Sequence, residues 1–130
     1  KLAGVHSCTD VTGFGLIGHA SEVANASGVT IQFDVASMPL LPHARELLKR
    51  NRNAGMDSNR EYFGSGVKVA AGIDDDLVTL LYDPQTSGGL IIFVADEHGD
   101  AAQAAFRAAG VPAEEIGRTL APTGHWIELV

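Results

Sequence analysis

The chain has 130 residues, 45% of them hydrophobic and 19% charged, with a formal net charge of −7. This is the composition of one folded domain and not of a disordered segment, and its acidity disfavours nucleic acid or an anionic membrane as a partner, since both need a basic surface. The lone Cys8 excludes an internal disulfide and fits a reducing compartment, and the longest apolar run, Leu90 to Ala95, is far shorter than the ~20 residues of a membrane helix.

In chain order, Val5 to Thr9 do not read as a strand. Leu16, Ile17, Ala20, Val23 and Ala24 recur at helical spacing, with Thr12 as a candidate N-cap and Ser27-Gly28 as a stop. Val29, Ile31, Phe33 and Val35 alternate with polar residues, the pattern of a strand with one buried face. Pro42 suits the first turn of a helix running to about Asn51, with Ala44, Leu47 and Leu48 inward. Residues 51–72 are broken by glycines and read as a loop with a short helix near Asn59–Phe63.

Asp74-Asp75-Asp76 then opens a helix that suits the dipole and ends at Asp83-Pro84. Leu90 to Ala95 is continuously apolar, as in a strand covered on both faces. A helix over Glu97–Ala109 follows, with Ala101, Ala102, Ala105 and Phe106 inward and Gly110 as its stop. Ile116–Leu120 and Trp126–Val130 read as strands joined by hairpin chemistry at Pro122-Thr123-Gly124. The order predicts an α+β fold with helices packed on a mixed sheet.

Two segments carry candidate chemistry. The first is Thr9-Asp10-Val11-Thr12-Gly13-Phe14-Gly15-Leu16-Ile17-Gly18-His19. Asp10 lies just before a helix, where it reads either as a cap or as a carboxylate ligand for Mg²⁺ bridging nucleotide phosphates. The segment lacks the Gly-Lys-Ser/Thr ending of a P-loop. Gly13-x-Gly15-x-x-Gly18 fits the dinucleotide pattern, but without a convincing strand before it. The second segment, Asp83-Pro84-Gln85-Thr86-Ser87-Gly88-Gly89, reads as a tight turn or as the lining of a polar cavity. Ser87 has no nearby His in sequence to make it a nucleophile. Arg45, Lys49, Arg50, Arg52 and Arg60 cluster, as does Asp74–Asp76; solvated helix faces account for both.

Together these two segments, with Asn59-Arg60-Glu61-Tyr62 between them, resemble the selenophosphate synthetases (selenide, water dikinases). The resemblance spans essentially all 130 residues and covers only the C-terminal domain of that family, a domain shared across the aminoimidazole ribonucleotide synthetase superfamily. It implies a three-layer α/β/α sandwich related to the ferredoxin-like pattern. It also implies a parent enzyme, a cytoplasmic homodimer, that uses Mg²⁺ and makes selenophosphate from selenide, ATP and water, releasing AMP and phosphate. Asp10 would be its one metal ligand in this chain, with Thr9, Thr12 and Gly13 lining the nucleotide site.

The family's catalytic Cys or selenocysteine and its Lys belong to a glycine-rich N-terminal segment that nothing here matches. Residues 1–130 therefore read as one C-terminal domain with no catalytic residue of its own, inactive alone. The start at Lys1 rather than Met agrees with that expectation. Another ATP-dependent enzyme of the superfamily and a non-catalytic scaffold are the competing readings.

Overall fold

The alternation at residues 29–35 becomes the second strand of a mixed sheet. In chain order the elements are β1 (Val5–Asp10), α1 (Gly15–Ser27), β2 (Thr30–Phe33), α2 (Ala44–Asn51), α3 (Ala54–Phe63), β3 (Val67–Val69), α4 (Asp75–Leu80), β4 (Leu90–Val94), α5 (Gly99–Ala108), β5 (Gly117–Leu120) and β6 (Ile127–Leu129). This computed structural model describes residues 3–130. Four strands form one sheet in the order β3-β6-β2-β5, and β1 and β4 form a separate two-stranded ribbon. β6 runs parallel to β2 and β3, while β5 is antiparallel to β2. The α+β class and the mixed sheet are as the sequence predicts. Among the described residues no helix is long and apolar enough to cross a membrane.

The period-2 pattern divides the sheet cleanly. Ile31 and Phe33 sit in register with Ile127 and Leu129, and all four are buried against Ile17, Ala20 and Ala24 of α1. Each such side chain contributes roughly 1.5–3 kcal/mol of transfer free energy on burial. The opposite face carries Lys68, Glu128, Gln32 and Arg118 in register across all four strands. Gln32 donates to Glu128 (3.3 Å), Lys68 reaches it (3.4 Å), and Arg118 donates to Gln32 (3.0 Å).

Glu128 anchors this ladder. The Thr123 hydroxyl donates to it at 3.0 Å and, opposed by burial and helped by Gln32 and Lys68, holds its carboxyl below the usual glutamate range. A lowered folded-state value means stability that is present above the unfolded value of about 4.3 and is lost as pH falls through the folded one. Glu128→Gln is thus expected to be less stable than wild type at pH 7, with the gap closing as pH approaches 3. Urea midpoints across that range measure it; a gap independent of pH would contradict the account.

Several elements differ from expectation for identifiable reasons. Val5–Asp10 is a strand, although His6, Cys8 and Asp10 leave it without apolar alternation; its pairing with β4, from Val5↔Val94 to Asp10↔Leu90, makes it one. For the same reason β4 is not covered on both faces: it lies in the ribbon, Ile91 is buried, and Leu90 is 65% exposed. β5 and β6 form no hairpin, because β2 lies between them. Their connection crosses the start of β2, where Thr30 Oγ1 accepts from Thr123 N (3.0 Å) and donates to the His125 carbonyl (2.6 Å).

Where the sequence predicts a loop with a short helix near Asn59–Phe63, the helix is present but longer, the ten residues Ala54–Phe63, and a short strand follows it. Asn53 caps that helix by accepting from Met56 N. α2 starts at Ala44, after His43 at φ 65°, so Pro42 lies outside it, and Leu47 is exposed. In α5 only Ala102 of the four expected inward residues is buried.

Candidate functional site

β1 delivers Asp10 to the edge of a joint between the two candidate segments. Asp10 ends the strand opposite Leu90, and Val11 N donates to the Gly89 carbonyl at 2.9 Å. The chain then turns, and the Thr12 carbonyl accepts from both Gly15 N and Gln85 N, each at 3.0 Å. Ile17 N, in the first turn of α1, donates to the Leu81 carbonyl at 3.1 Å. Segments far apart in sequence are thereby laced backbone to backbone. Gly88 makes this closeness possible: a Cβ there would overlap the Val11 carbonyl oxygen. Gly15, at φ 69°, packs so near the Tyr82 backbone that a Cβ would lie 2.8 Å from its carbonyl carbon.

Side chains complete the joint. Asn59, buried on α3, donates through Nδ2 to the Gly13 carbonyl (2.9 Å) and the Tyr82 carbonyl (3.0 Å). Asp83 accepts from Asn53 Nδ2 (3.2 Å) and Gln85 Nε2 (2.9 Å). Thr12 is not the helix cap. Phe14 precedes the first helical residue without a side-chain cap, and Thr12 Oγ1 pairs instead with His19 Nε2 at 3.0 Å. The positive φ at Gly15 sets one extra turn between Thr12 and the helix, which removes the hydroxyl from the capping position. Phe14 packs between His19 (ring centroids 5.4 Å apart, tilted) and Phe63 (5.6 Å, edge to face).

Asp10 is exposed, and among the described residues its carboxylate has no hydrogen-bond partner. Thr9 is half-buried and its hydroxyl donates to the Asp10 carbonyl; Thr12 is half-buried and Gly13 exposed. The four residues picked out from the sequence lie on one continuous stretch, the end of β1 and the turn that follows it. Cys8 is exposed on β1, two residues before Asp10 and on the same strand face. Among the described residues no three His, Cys, Asp or Glu side chains converge to hold a metal. Asp10 fits Mg²⁺ as a contributing ligand: this ion takes one or two carboxylates and completes its shell with phosphate oxygens and water.

Three arginines of the basic cluster form ion pairs. Arg45 pairs with Asp74, Arg52 with Asp57 (2.6 Å) and Arg60 with Asp75 (2.6 Å). The Arg60 hydrogen bond holds the Asp75 carboxyl below its usual range, and Asp75 raises the guanidinium in turn. These three arginines are committed to carboxylates on or beside neighbouring helices. The dinucleotide pattern also fails in context. A strand does precede Gly13, but β1 and β2 lie in different sheets and do not form the parallel βαβ unit that the pattern requires. The parts that residue-by-residue reading missed are Asn59 and Gln85; the only signal for Asn59 was its place in Asn59-Arg60-Glu61-Tyr62.

Residues 1–127 match the family described as AIR synthase related protein, C-terminal domain. The selenide, water dikinase of Caldanaerobacter subterraneus is 46% identical over 101 residues, which is 77% of this chain and 29% of that protein. That of Pseudomonas putida is 43% identical over 128 residues, covering 98% of this chain and 35% of its own length. The chain spans about a third of the length of the curated relatives it matches. A thiamine-monophosphate kinase from Stenotrophomonas maltophilia shares the fold, with a TM-score of 0.65 over 98% of this chain and 32% of that one, at 21% identity.

Proposed function

We propose a function from one premise: the chain belongs to the AIR synthase related proteins and is the C-terminal domain of that family. Residues 1–130 act as the C-terminal domain of a two-domain selenide, water dikinase, which makes selenophosphate from selenide, ATP and water and releases AMP and phosphate. Relatives carrying that name at 46% and 43% identity support this reading. The observation that carries it is Asp10, an exposed carboxylate without a hydrogen-bond partner among the described residues, presented where the two segments are hydrogen-bonded backbone to backbone.

In this reading Asp10 is one ligand of the Mg²⁺ that accompanies ATP. When bound, Mg²⁺ neutralises charge on the phosphoryl oxygens. The chain's own part is placement. The ribbon β1–β4 and the Val11–Gly89 hydrogen bond fix the backbone at Asp10, and with it the point from which the carboxylate reaches out. Thr9, Thr12 and Gly13 line the same lip. The net charge of −7 means this chain does not attract ATP by itself. The nucleophile and the phosphate cradle belong to the N-terminal domain, and the working enzyme is a cytoplasmic homodimer.

The test is an AMP assay on the full-length protein with ATP, Mg²⁺ and selenide. AMP formation is expected only when selenide is present, and none is expected from the 130-residue chain alone. Nucleotide turnover indifferent to selenide, or ADP formed with a different small acceptor, would instead support another enzyme of the superfamily.

A further inference from the structure

We propose that Asn59 is a positioning residue for the Asp10 turn, acting through the Gly13 carbonyl. The inference rests on the reading of Asp10 as a metal ligand. Asn59 is buried, and both protons of its amide nitrogen are used: one on Gly13 O at 2.9 Å, one on Tyr82 O at 3.0 Å. Tyr82 immediately precedes the Asp83–Gly89 loop, and Gly13 lies three residues after Asp10. One side chain therefore clamps both halves of the joint from below, beside the backbone bonds Val11–Gly89 and Thr12–Gln85.

Gly13 is the part of the turn most in need of such a clamp. It has no side chain to hold it, and nothing lies within 4 Å of where its Cβ would be. Its backbone is intrinsically freer than that of any other residue type; the Gly15 N–Thr12 O bond closes the turn around it, and its own carbonyl is held by Asn59. Thr12 is tied twice through its own carbonyl and once through His19. For Gly13 the tie is Asn59.

Packing alone does not call for an amide at this position. α3 is already anchored by buried Met56 and Phe63 and by the Arg60–Asp75 pair. A leucine has the same branched shape but is larger, and it leaves the Gly13 and Tyr82 carbonyls without their donor. What leucine lacks is the pair of directed donors, and their targets are the first candidate segment and the residue that leads into the second.

The experiment uses the full-length protein with Asn59→Leu, Asp10→Asn and the double variant. Steady-state kinetics give kcat and the half-saturating Mg²⁺ concentration at a temperature where circular dichroism shows each variant folded. Hydrogen exchange without ligand is followed over residues 9–16. Asn59→Leu is expected to lower kcat at least tenfold, to raise the Mg²⁺ requirement, and to speed exchange in residues 9–16 while β2 and β6 stay protected. The double variant is expected to be no worse than Asp10→Asn, because both act on one unit.

If Asn59→Leu does not fold, Asn59→Ser takes its place and is read by the same criteria. A folded Asn59 variant with wild-type kcat, Mg²⁺ dependence and exchange overturns the positioning role, as does an additive double variant. An unimpaired Asp10→Asn is the distinct outcome in which the metal reading itself fails, and the positioning role falls with it.

Discussion

Asp10→Asn in the full-length protein is expected to lower selenide-dependent AMP formation by about 10²–10³-fold, the cost typical of removing one preorganised electrostatic group. Thermal stability is expected to stay near wild type. Asp10 is exposed, and among the described residues its carboxylate takes no hydrogen bond, so its removal breaks no fold contact. The backbone at Asp10 is held by β4 and is indifferent to the side chain. Asparagine keeps the shape and loses the charge, which is what a hard cation recognises. Activity and melting temperature measured on the same preparation decide it. Unchanged turnover removes Asp10 from the site; a parallel fall in stability makes it a structural residue.

Gly88→Ala is expected to be the most damaging single methyl in the joint. The new Cβ would overlap the Val11 carbonyl oxygen and press on Gln85 Cβ at 3.0 Å. The Val11 obstruction is backbone, so no rotamer change relieves it. The loop must move, and with it the Val11–Gly89 bond and the Asp10↔Leu90 register. Overpacking of this kind costs about 1–3 kcal/mol, and turnover is expected to fall at least tenfold because Asp10 loses its support. Gly89→Ala is the matched control, with open space around its Cβ. Urea unfolding and the AMP assay on the two variants test the joint. Equal behaviour of the two would show that the loops are not held together as described.

What was legible in the sequence follows from where the periodicity was strong. α1 and β2 bury one clean face each, so Ile17, Ala20, Ile31 and Phe33 announced them. β1 gave no such signal because one face carries His6, Cys8 and Asp10, all exposed; its partner strand defines it, and pairing between distant segments leaves no local trace. The hairpin expected at Pro122–Gly124 failed for a related reason. Turn residues fix a bend, but Thr30 draws the connection over β2 and separates the strands. Residues 51–72 read as a loop with only a short helix near Asn59–Phe63 because Gly55, Gly64 and Gly66 interrupt the pattern. Yet Asn53 supplies a cap, and Met56 and Phe63 supply the buried contacts of a helix.

The candidate site was legible as motif and not as geometry. Asp10, Thr12 and Gly13 could be picked out from residue chemistry and resemblance. The meeting of residues 9–19 with 83–89 was invisible, because carbonyl and N–H partners such as Thr12 O and Gln85 N carry no side-chain signature. The assignment of Thr12 as a cap went wrong at Gly15, whose positive φ inserts a turn that no local rule anticipates.

The placement of Asp10 on the metal is tested most directly by anomalous diffraction from crystals of the full-length protein grown with Mn²⁺ and a non-hydrolysable ATP analogue. The account predicts a metal peak at coordination distance, roughly 2.0–2.2 Å, from an Asp10 carboxylate oxygen, close to the range of Mg²⁺–oxygen bonds. Metal ions bound at the phosphates with Asp10 turned to solvent would contradict it.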